Sequence, residues 1–360
     1  MEKKLTSRVA WVGKIDWELK HFHGDELSTH FGSSYNAYLI RDKKNVLVDT
    51  VWSPYDTEFV AHLKEAIDLN DIDYIVMNHN ENDHSGALPA LMREIPNTPI
   101  YCTKKGEEIL RGLYHQDWNF VNVKTGDTLN IGDNTLTFIE CPMCHWPDTM
   151  VTYADKEQIL FSNDVFGQHY ASESLYDDTV NQRDLFREAE KYYANILNLY
   201  NRNVKRKVDE IVGMNLPLKM IAPSHGVIWT DHIPDIIAKY QQWDCDYQEN
   251  QITIALDLYD TTLVAPNYSF LGKLNGYMTG RLYDVWFVTD FKIKKGKATV
   301  RFSNDLGSDE QEICFTFDKN GQLLYETVGN NVIRRAENRK WIKLPTKMLF
   351  VSKDSKAKKP

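Results

Sequence analysis

The sequence has no long hydrophobic run and few cysteines, and each shortage excludes a class of protein. Its 360 residues contain no stretch of about 18 apolar residues, so we expect no membrane-spanning segment. A Lys-Lys pair near the start is not followed by an apolar stretch, so we expect no secretory signal and a cytoplasmic protein. The five cysteines are scattered apart from one close pair, which fits a reducing compartment and no disulfide framework.

Charge is distributed unevenly along the chain. Residues 251–360 contain 18 Lys and Arg against 12 Asp and Glu, a net charge of +6. Since the whole chain carries −9, residues 1–250 carry −15. An acidic body argues against nucleic acid as a ligand. The basic end is either a solvated terminus or a segment that docks on an acidic partner.

The close cysteine pair lies in "CPMCHWPD", where Cys141-x-x-Cys144-His145 has the spacing of a c-type haem attachment site. The same residues also fit a redox pair or half of a zinc site. Haem attachment requires export, which we do not expect, and no second Cys-x-x-Cys completes a four-cysteine zinc site. The cysteines are more simply interpreted as small apolar residues at a strand end, and a redox role for them stays open.

Hydrophobic patterning predicts an α+β protein in two parts. Residues 1–250 alternate short apolar runs with amphipathic segments, which predicts an αββα sandwich with two central sheets and helices outside. From about residue 277 the pattern changes to hairpins, such as "QEICFTF" and "QLLYETV" around an Asn-Gly turn. We therefore predict domains at 1–250 and 251–360, the second a small β-rich module.

The stretch "NHNENDHSG" is the densest group of metal-ligating side chains. His79, Glu81, Asp83 and His84 lie within six residues, directly after the buried strand "IDYIVMNH". A loop at a strand end has the backbone freedom to let several side chains converge. A polar surface loop is the simpler alternative for such a short cluster when it is considered alone.

Three further candidate ligands also follow predicted strands: His145 after "TFIEC", Asp164 at the end of "ILFSND", and His225 at the end of "MIAPSH". Polar residues that end buried strands point toward one rim of the sheet, where α/β folds keep their sites. Together the candidates supply four imidazoles and three carboxylates. Nitrogen and oxygen ligands without a thiolate suit iron or manganese, although zinc could also occupy such a site.

These motifs resemble the metallo-β-lactamase fold, and in detail its flavodiiron branch, the oxygen and nitric oxide reductases of anaerobes. The resemblance rests on His-x-Glu-x-Asp-His at 79–84, "HWPD", "FSND" and "SHG". It extends over residues 1–250 through flavorubredoxin-like stretches such as "GSSYNAYLI", "NVLVDTV" and "FGQHY". Hydrolytic relatives have His-x-His-x-Asp-His and hold zinc, so Glu81 in place of the second histidine argues against a hydrolase.

The resemblance implies a ligand arrangement and two further site residues. It assigns His79, Glu81 and His145 to one iron, assigns Asp83, His84 and His225 to the other, and makes Asp164 the bridge. It also implies that His23 and Tyr193 face the pocket for a diatomic ligand, where either could donate a hydrogen bond or a proton. Ordinary packing is the alternative for Tyr193, which lies on an amphipathic helix.

The sequence departs from this family after residue 250. Flavodiiron proteins carry a flavodoxin-like domain there, but "LVAPNYSFLG" has proline and glycine where its first helix should run. We therefore expect no flavin mononucleotide (FMN) in this chain. Either a separate flavoprotein or rubredoxin supplies electrons for reduction of O2 or NO, or the chain is a flavin-less di-iron oxygen sensor with a signalling partner. A homodimer is compatible with both hypotheses.

Overall fold

The computed structural model describes residues 2–22, 27–248, 252–265, 271–280, 282–305, 307–319, 321–337 and 340–350. The chain divides into two compact units, Met1–Cys245 and Asp246–Pro360. This division lies close to the predicted boundary after residue 250. Among the described residues, no helix is both long and apolar enough to cross a membrane.

The first half of the first unit forms a seven-stranded sheet and two small ribbons. Its strands are β1 Lys3–Lys4, β2 Val9–Trp11, β3 Lys14–Asp16, β4 His21–Phe22, β5 Leu27–Ser28, β6 Ser33–Tyr35, β7 Tyr38–Ile40, β8 Asn45–Val48, β9 Ile72–Val76, β10 Ile100–Cys102 and β11 Phe120–Asn122. The sheet has the order β1-β2-β7-β8-β9-β10-β11, while β3 pairs with β6 and β4 with β5. β7 and β8 pair antiparallel, and β8 to β11 run parallel.

A second sheet of five strands completes the two central layers. Its strands, in spatial order, are β12 Thr128–Asn130, β13 Thr135–Glu140, β14 Met150–Ala154, β15 Ile159–Asn163 and β16 Met220–Pro223. β13, β14 and β15 are successively antiparallel, and β16 is parallel to β15. The carboxyl ends of β13, β15 and β16 therefore lie at the same edge of this sheet.

The described residues of this part of the chain form seven α-helices. They are α1 Asp56–Ala66, α2 Asn82–Ser85, α3 Leu88–Glu94, α4 Lys104–Tyr114, α5 Gln182–Tyr192, α6 Asn201–Gly213 and α7 Ile233–Gln248. Side chains cap two of them: Thr103 accepts from the backbone N–H of Gly106 at α4, and Asn181 accepts from that of Asp184 at α5. The helix that contains Tyr193 is not a regular α-helix there, because α5 continues into a π-helical turn at Tyr193–Leu197.

Burial along single strands confirms the αββα arrangement. In β8, Val46 and Val48 belong to the apolar cluster between the sheets, whereas Leu47 belongs to the cluster that includes Leu63 of α1. In β15, Leu160 likewise faces the cluster that holds the helical residues of α5 to α7. Strands buried on both faces explain why these segments are almost continuously apolar in sequence.

The second unit is an antiparallel sheet, as the hairpin pattern predicts. Its strands are β17 Ile252–Leu256, β18 Gly276–Gly280, β19 Trp286–Lys294, β20 Lys297–Asn304, β21 Glu310–Phe317, β22 Leu323–Val328, β23 Arg334–Glu337, β24 Lys340–Lys343 and β25 Lys347–Phe350. Seven of them pair in the order β17-β18-β19-β20-β21-β22-β25. β24 pairs with β23 in a separate ribbon. Apart from the last three residues of α7, the described part of this unit contains no α-helix, unlike the alternating pattern of a flavodoxin domain.

Candidate metal centre

The predicted ligands lie where strands end at one rim of the first unit. His79 and Glu81 are in the loop after β9, and Asp83 and His84 are on α2, which follows that loop directly. The other three are His145 in the turn between β13 and β14, Asp164 directly after β15, and His225 shortly after β16. The structure brings all seven side chains together, in two groups.

The first group consists of His79, Glu81, His145 and Asp164, whose potential ligand atoms lie within 4.8 Å of one another. Nε2 of His145 is 3.3 Å from Oε2 of Glu81 and 3.1 Å from Oδ2 of Asp164. Nε2 of His79 is 3.4 Å from the same oxygen of Glu81 and 3.6 Å from that of Asp164. Ligand atoms bound at 2.0–2.2 Å to one ion lie about 3 Å apart, so these separations suit a metal.

The second group consists of Asp83, His84 and His225. Nε2 of His84 is 3.3 Å from Oδ1 of Asp83, and Nε2 of His225 is 3.0 Å from Oδ2 of Asp83. All three side chains are buried. Buried imidazole and carboxylate groups at these distances are the donor types that first-row metals bind.

Asp164 connects the two groups through its two carboxylate oxygens. Oδ2 faces His79 and His145, while Oδ1 is 3.3 Å from Nε2 of His84 and 3.7 Å from Nε2 of His225. The side chain is buried and follows Asn163, which adopts a positive φ of 51°. One carboxylate oxygen is thus directed toward each group.

Hydrogen bonds fix the orientation of two imidazoles. Nδ1 of His79 is 3.1 Å from Oδ1 of Asp148, and Nδ1 of His225 donates to the carbonyl oxygen of Ser34 at 2.7 Å. A proton held on Nδ1 leaves the lone pair of Nε2 free to bind a metal. Asp148 is itself held by Asn80, whose backbone N–H and side-chain amide donate to Oδ2 at 2.9 and 2.8 Å. Asp148 belongs to the motif "HWPD", and its contact with His79 could not be predicted from the motif alone.

Asp164 is likewise held by two neighbours that the sequence analysis missed. The hydroxyls of Tyr192 and Ser224 donate to its Oδ1 at 3.0 and 2.8 Å. Tyr193, predicted to face the pocket, packs its ring against Tyr240 and Trp243 at centroid distances of 5.0 and 5.4 Å. Tyr192, one residue earlier, donates a hydrogen bond to a predicted ligand, and the role of Tyr193 stays a prediction.

A further histidine, His169, lies beside the second group. Its ring is 5.1 Å from that of His225 and 5.0 Å from that of Tyr192, and its Nδ1 is 2.8 Å from the hydroxyl of Ser33. In the sequence, only its place within the flavorubredoxin-like stretch "FGQHY" suggested that this histidine belongs near the site. His23, the other predicted pocket residue, lies outside the described residues, and its role also stays a prediction.

The clustered side chains shift one another's pKa. Burial by itself would lower the pKa of His84, but the charges of Asp83 and Asp164 outweigh it and raise the pKa to about 9. Burial would raise the pKa of Asp164 and of Glu81, but the surrounding imidazoles hold both below their usual values. The carboxylates are therefore ionised at neutral pH, as metal ligands must be.

One buried carboxylate oxygen indicates that the site suits a cation. Oδ1 of Asp83 is buried and has no hydrogen-bond partner among the described residues. Leaving a buried carboxylate oxygen unsatisfied costs free energy, and a cation between Asp83 and His84 would remove that cost. The mixed set of four imidazoles and three carboxylates therefore fits two hard or borderline metal ions.

A cavity of about 300 Å³ opens onto the ligands. It is lined by the apolar side chains of Leu19, Phe22 and Trp52 and by four polar residues, His21, Glu81, Asn82 and Asp83. A mostly apolar cavity that ends at a few polar groups is the usual form of a small-ligand site.

Comparison with known proteins agrees with this geometry. The model of the family described as "ODP family beta lactamase" matches residues 34–226. An anaerobic nitric oxide reductase flavorubredoxin of Klebsiella pneumoniae is 53% identical over 259 residues, which are 71% of this chain and 53% of that protein. One from Escherichia coli strain SMS-3-5 is 54% identical over 332 residues, which are 91% of this chain and 66% of that protein.

Among solved structures, the rubredoxin oxygen:oxidoreductase of Desulfovibrio gigas superposes with a TM-score of 0.66 at 36% identity, covering 69% of this chain and 63% of that one. The chain thus spans about half the length of the first curated relatives it matches. The family match covers the strands and loops that carry all seven ligands. The chain therefore belongs to the ODP family beta lactamases, within the flavodiiron proteins.

Proposed function

We propose that the chain holds two iron ions and reduces O2, nitric oxide or both. His79, Glu81 and His145 would hold one ion, Asp83, His84 and His225 the other, and Asp164 would bridge them. The observation that carries this proposal is the placement of Asp164, with Oδ2 toward one group and Oδ1 toward the other. A bridging carboxylate keeps two metals roughly 3.5–4 Å apart, so that one diatomic molecule can contact both.

The metal pair, when bound, supplies two electrons and a Lewis-acidic surface for a diatomic ligand. The protein's own groups supply orientation. Asp148 holds His79 and the Ser34 carbonyl holds His225, so that each presents Nε2 to the site. Tyr192 and Ser224 hold Asp164 through Oδ1. Partners of this kind keep ligands in one geometry through changes in metal charge.

Tyr192 also places a proton at the site. Burial raises the pKa of its phenol well above the ordinary value, and the charge of Asp164 raises it further. The phenol therefore stays protonated at all physiological pH values and acts as a hydrogen-bond donor. The phenol donates this proton to Oδ1 of Asp164, and the carboxylate of Asp164 faces both ligand groups.

The cavity supports a small, weakly polar substrate. Phe22, Leu19 and Trp52 line it with apolar surface, which favours O2 or NO over a charged hydrolytic substrate. Glu81 argues against hydrolysis as well, since it supplies an oxygen where zinc hydrolases of this fold have a nitrogen. The names of the relatives, nitric oxide reductase and oxygen oxidoreductase, agree with a diatomic substrate.

Electrons for repeated turnover would come from a separate donor, a flavoprotein or a rubredoxin. The described part of the second unit is an antiparallel sheet and not a flavodoxin fold, so we do not expect FMN there. The same observation favours the second candidate function, a flavin-less di-iron oxygen sensor. In that case the second unit would carry the output to a signalling partner.

Metal content and turnover test the proposal. Protein purified without added cofactors should contain two irons per chain and no FMN. With NADH, a flavoprotein reductase and a flavodoxin or rubredoxin, sustained consumption of O2 or NO would support the reductase. A single stoichiometric reaction that leaves a stable absorbing species would support the sensor. A chain with one metal or none, inactive in both assays, would contradict both.

A further inference from the structure

The cysteine pair lies beside the metal centre but is not among its ligands. Cys141 comes directly after β13, and Cys144 immediately precedes the ligand His145. Both belong to the apolar cluster that also contains Tyr192, the residue that donates to Asp164. The pair is thus connected to the site both through the backbone and through packed side chains.

A tight backbone turn brings Cys141 and Cys144 close together. The N–H of Cys144 donates to the carbonyl oxygen of Cys141 at 2.9 Å, which closes a four-residue turn. Pro142 and the positive φ of 64° at Met143 are the features of a type II turn, whose ends lie less than about 7 Å apart. Disulfides join Cα atoms about 4.4–6.8 Å apart, a range that such a turn allows. The thiol of Cys141 donates to the carbonyl oxygen of Ile139 at 3.6 Å, and both cysteines are free.

Burial restricts what can oxidise these thiols. The exposed fractions of Cys141 and Cys144 are 0% and 1%, so a protein thiol or glutathione cannot reach them without unfolding the turn. An oxidant produced at the metal centre, one residue from Cys144, needs no such opening. The reaction that we consider is therefore intramolecular.

We propose that Cys141 and Cys144 are an internal two-electron donor for oxygen reduction at the neighbouring metal centre. The inference rests on the proposed function. Two ferrous ions becoming ferric release two electrons, whereas reduction of O2 to water takes four. The S–H bonds of both cysteines break, an S–S bond forms, and two electrons and two protons pass to oxygen. With two further protons from solvent, the O–O bond breaks and one O2 gives two waters.

Peptide mapping after a single turnover tests this directly. The full chain, loaded with two ferrous ions and freed of excess reductant, is mixed with one equivalent of O2, quenched in acid and alkylated. Cleavage after Lys124 and Lys156 yields a peptide that contains Cys141 and Cys144 and no other cysteine. We expect about one disulfide per O2 consumed and no release of hydrogen peroxide.

Two controls separate this reaction from incidental oxidation. The zinc-loaded chain cannot reduce O2 and should keep both thiols free under the same exposure. Cys141→Ala and Cys144→Ala should release about one equivalent of hydrogen peroxide, while Cys314→Ala, in the second unit, should behave as wild type.

Free thiols after the iron-loaded wild type has consumed O2 would overturn the inference and leave the proposed function intact. An equally oxidised zinc form would overturn it too, because the oxidation would then not come from the site. Failure of every iron-loaded form to react with O2 would instead remove the proposed function and the inference with it. The wild-type measurements do not depend on whether a variant folds.

Discussion

The hydroxyl of Tyr192 donates a hydrogen bond to Oδ1 of Asp164 at 3.0 Å, and the hydroxyl of Ser224 donates to the same oxygen at 2.8 Å. Oδ1 is the oxygen that faces His84 and His225. The two hydroxyls therefore fix the orientation of the carboxylate that faces both ligand groups. Removing either hydroxyl should therefore weaken metal binding, although neither Tyr192 nor Ser224 is a predicted ligand.

Replacing Tyr192 by phenylalanine should weaken iron binding about tenfold, because outer partners of ligands contribute about 10–100-fold and Ser224 remains. Affinity is measured by competition with a chelator of known strength. Tyr153→Phe is the matched control, since the hydroxyl of Tyr153 donates to the carbonyl oxygen of Pro217 at 2.8 Å. Weakened binding in Tyr193→Phe with none in Tyr192→Phe would reverse the assignment of these two residues.

Asp148→Asn should loosen the first ligand group selectively. The carboxylate lies 3.1 Å from Nδ1 of His79, and an amide there no longer favours the proton on Nδ1. We expect one of the two irons to bind about 10–100-fold more weakly while the other stays. Titration of the apoprotein with ferrous iron, followed by metal analysis, shows the two steps. Asp155→Asn, at an exposed position in the turn between β14 and β15, should leave both affinities as they are, and equal weakening of both sites would count against the assignment.

Glu81→His should shift metal preference from iron toward zinc. It replaces a carboxylate oxygen with an imidazole nitrogen in the first group, next to His79 and His145. After loading from an equimolar mixture, the iron-to-zinc ratio should fall by about tenfold or more. Glu81→Gln keeps an oxygen donor and should shift the ratio less. An unchanged ratio in Glu81→His would show that this position does not select the metal.

Asp177 should make the loop after His225 sensitive to acid. Its buried carboxylate accepts from the backbone N–H groups of Thr230 and His232 at 3.0 and 2.8 Å, and also from their side chains. Burial would raise its pKa, but these hydrogen bonds outweigh burial and lower the pKa below the ordinary 3.8. Its contribution to stability is therefore complete above about pH 4 and is lost as pH falls through the lowered pKa.

Asp177→Asn should accordingly lower the free energy of unfolding by about 2 kcal/mol at pH 7, with a difference that shrinks below pH 4. Urea unfolding of the metal-free chain at several pH values measures both effects. Asp178→Asn, at the exposed neighbouring position, is the control. If the free energies of unfolding of the wild type and Asp177→Asn differ by the same amount down to pH 2, the charge of the carboxylate is not responsible for the stabilisation.

The seven ligand candidates could be predicted from the sequence because each follows a strand or lies in the loop after one. Strand ends are recognisable from local hydrophobicity, and a common rim follows from the layered fold. The choice between Tyr192 and Tyr193 could not be made in this way. Helical periodicity of 100° per residue fails where α5 passes into the π-helical turn at Tyr193–Leu197, so the buried face cannot be extrapolated.

Strand pairing between segments far apart in sequence is the second feature that could not be predicted. Hairpins of the second unit were predictable from turn residues such as Gly296, which has a φ of +72° between β19 and β20. The pairing of β22 with β25, across the β23–β24 ribbon, leaves no local signal in the sequence. The roles of Asp148 and Ser224 could not be predicted for a similar reason, since each hydrogen-bonds to a residue far from it in the sequence.

Anomalous diffraction at the iron absorption edge, on crystals of the iron-loaded chain, tests the central claim most directly. The account predicts two peaks, one bound by His79, Glu81 and His145 and the other by Asp83, His84 and His225, with one oxygen of Asp164 on each. A single peak, or two peaks with Asp164 bound to only one, would contradict it.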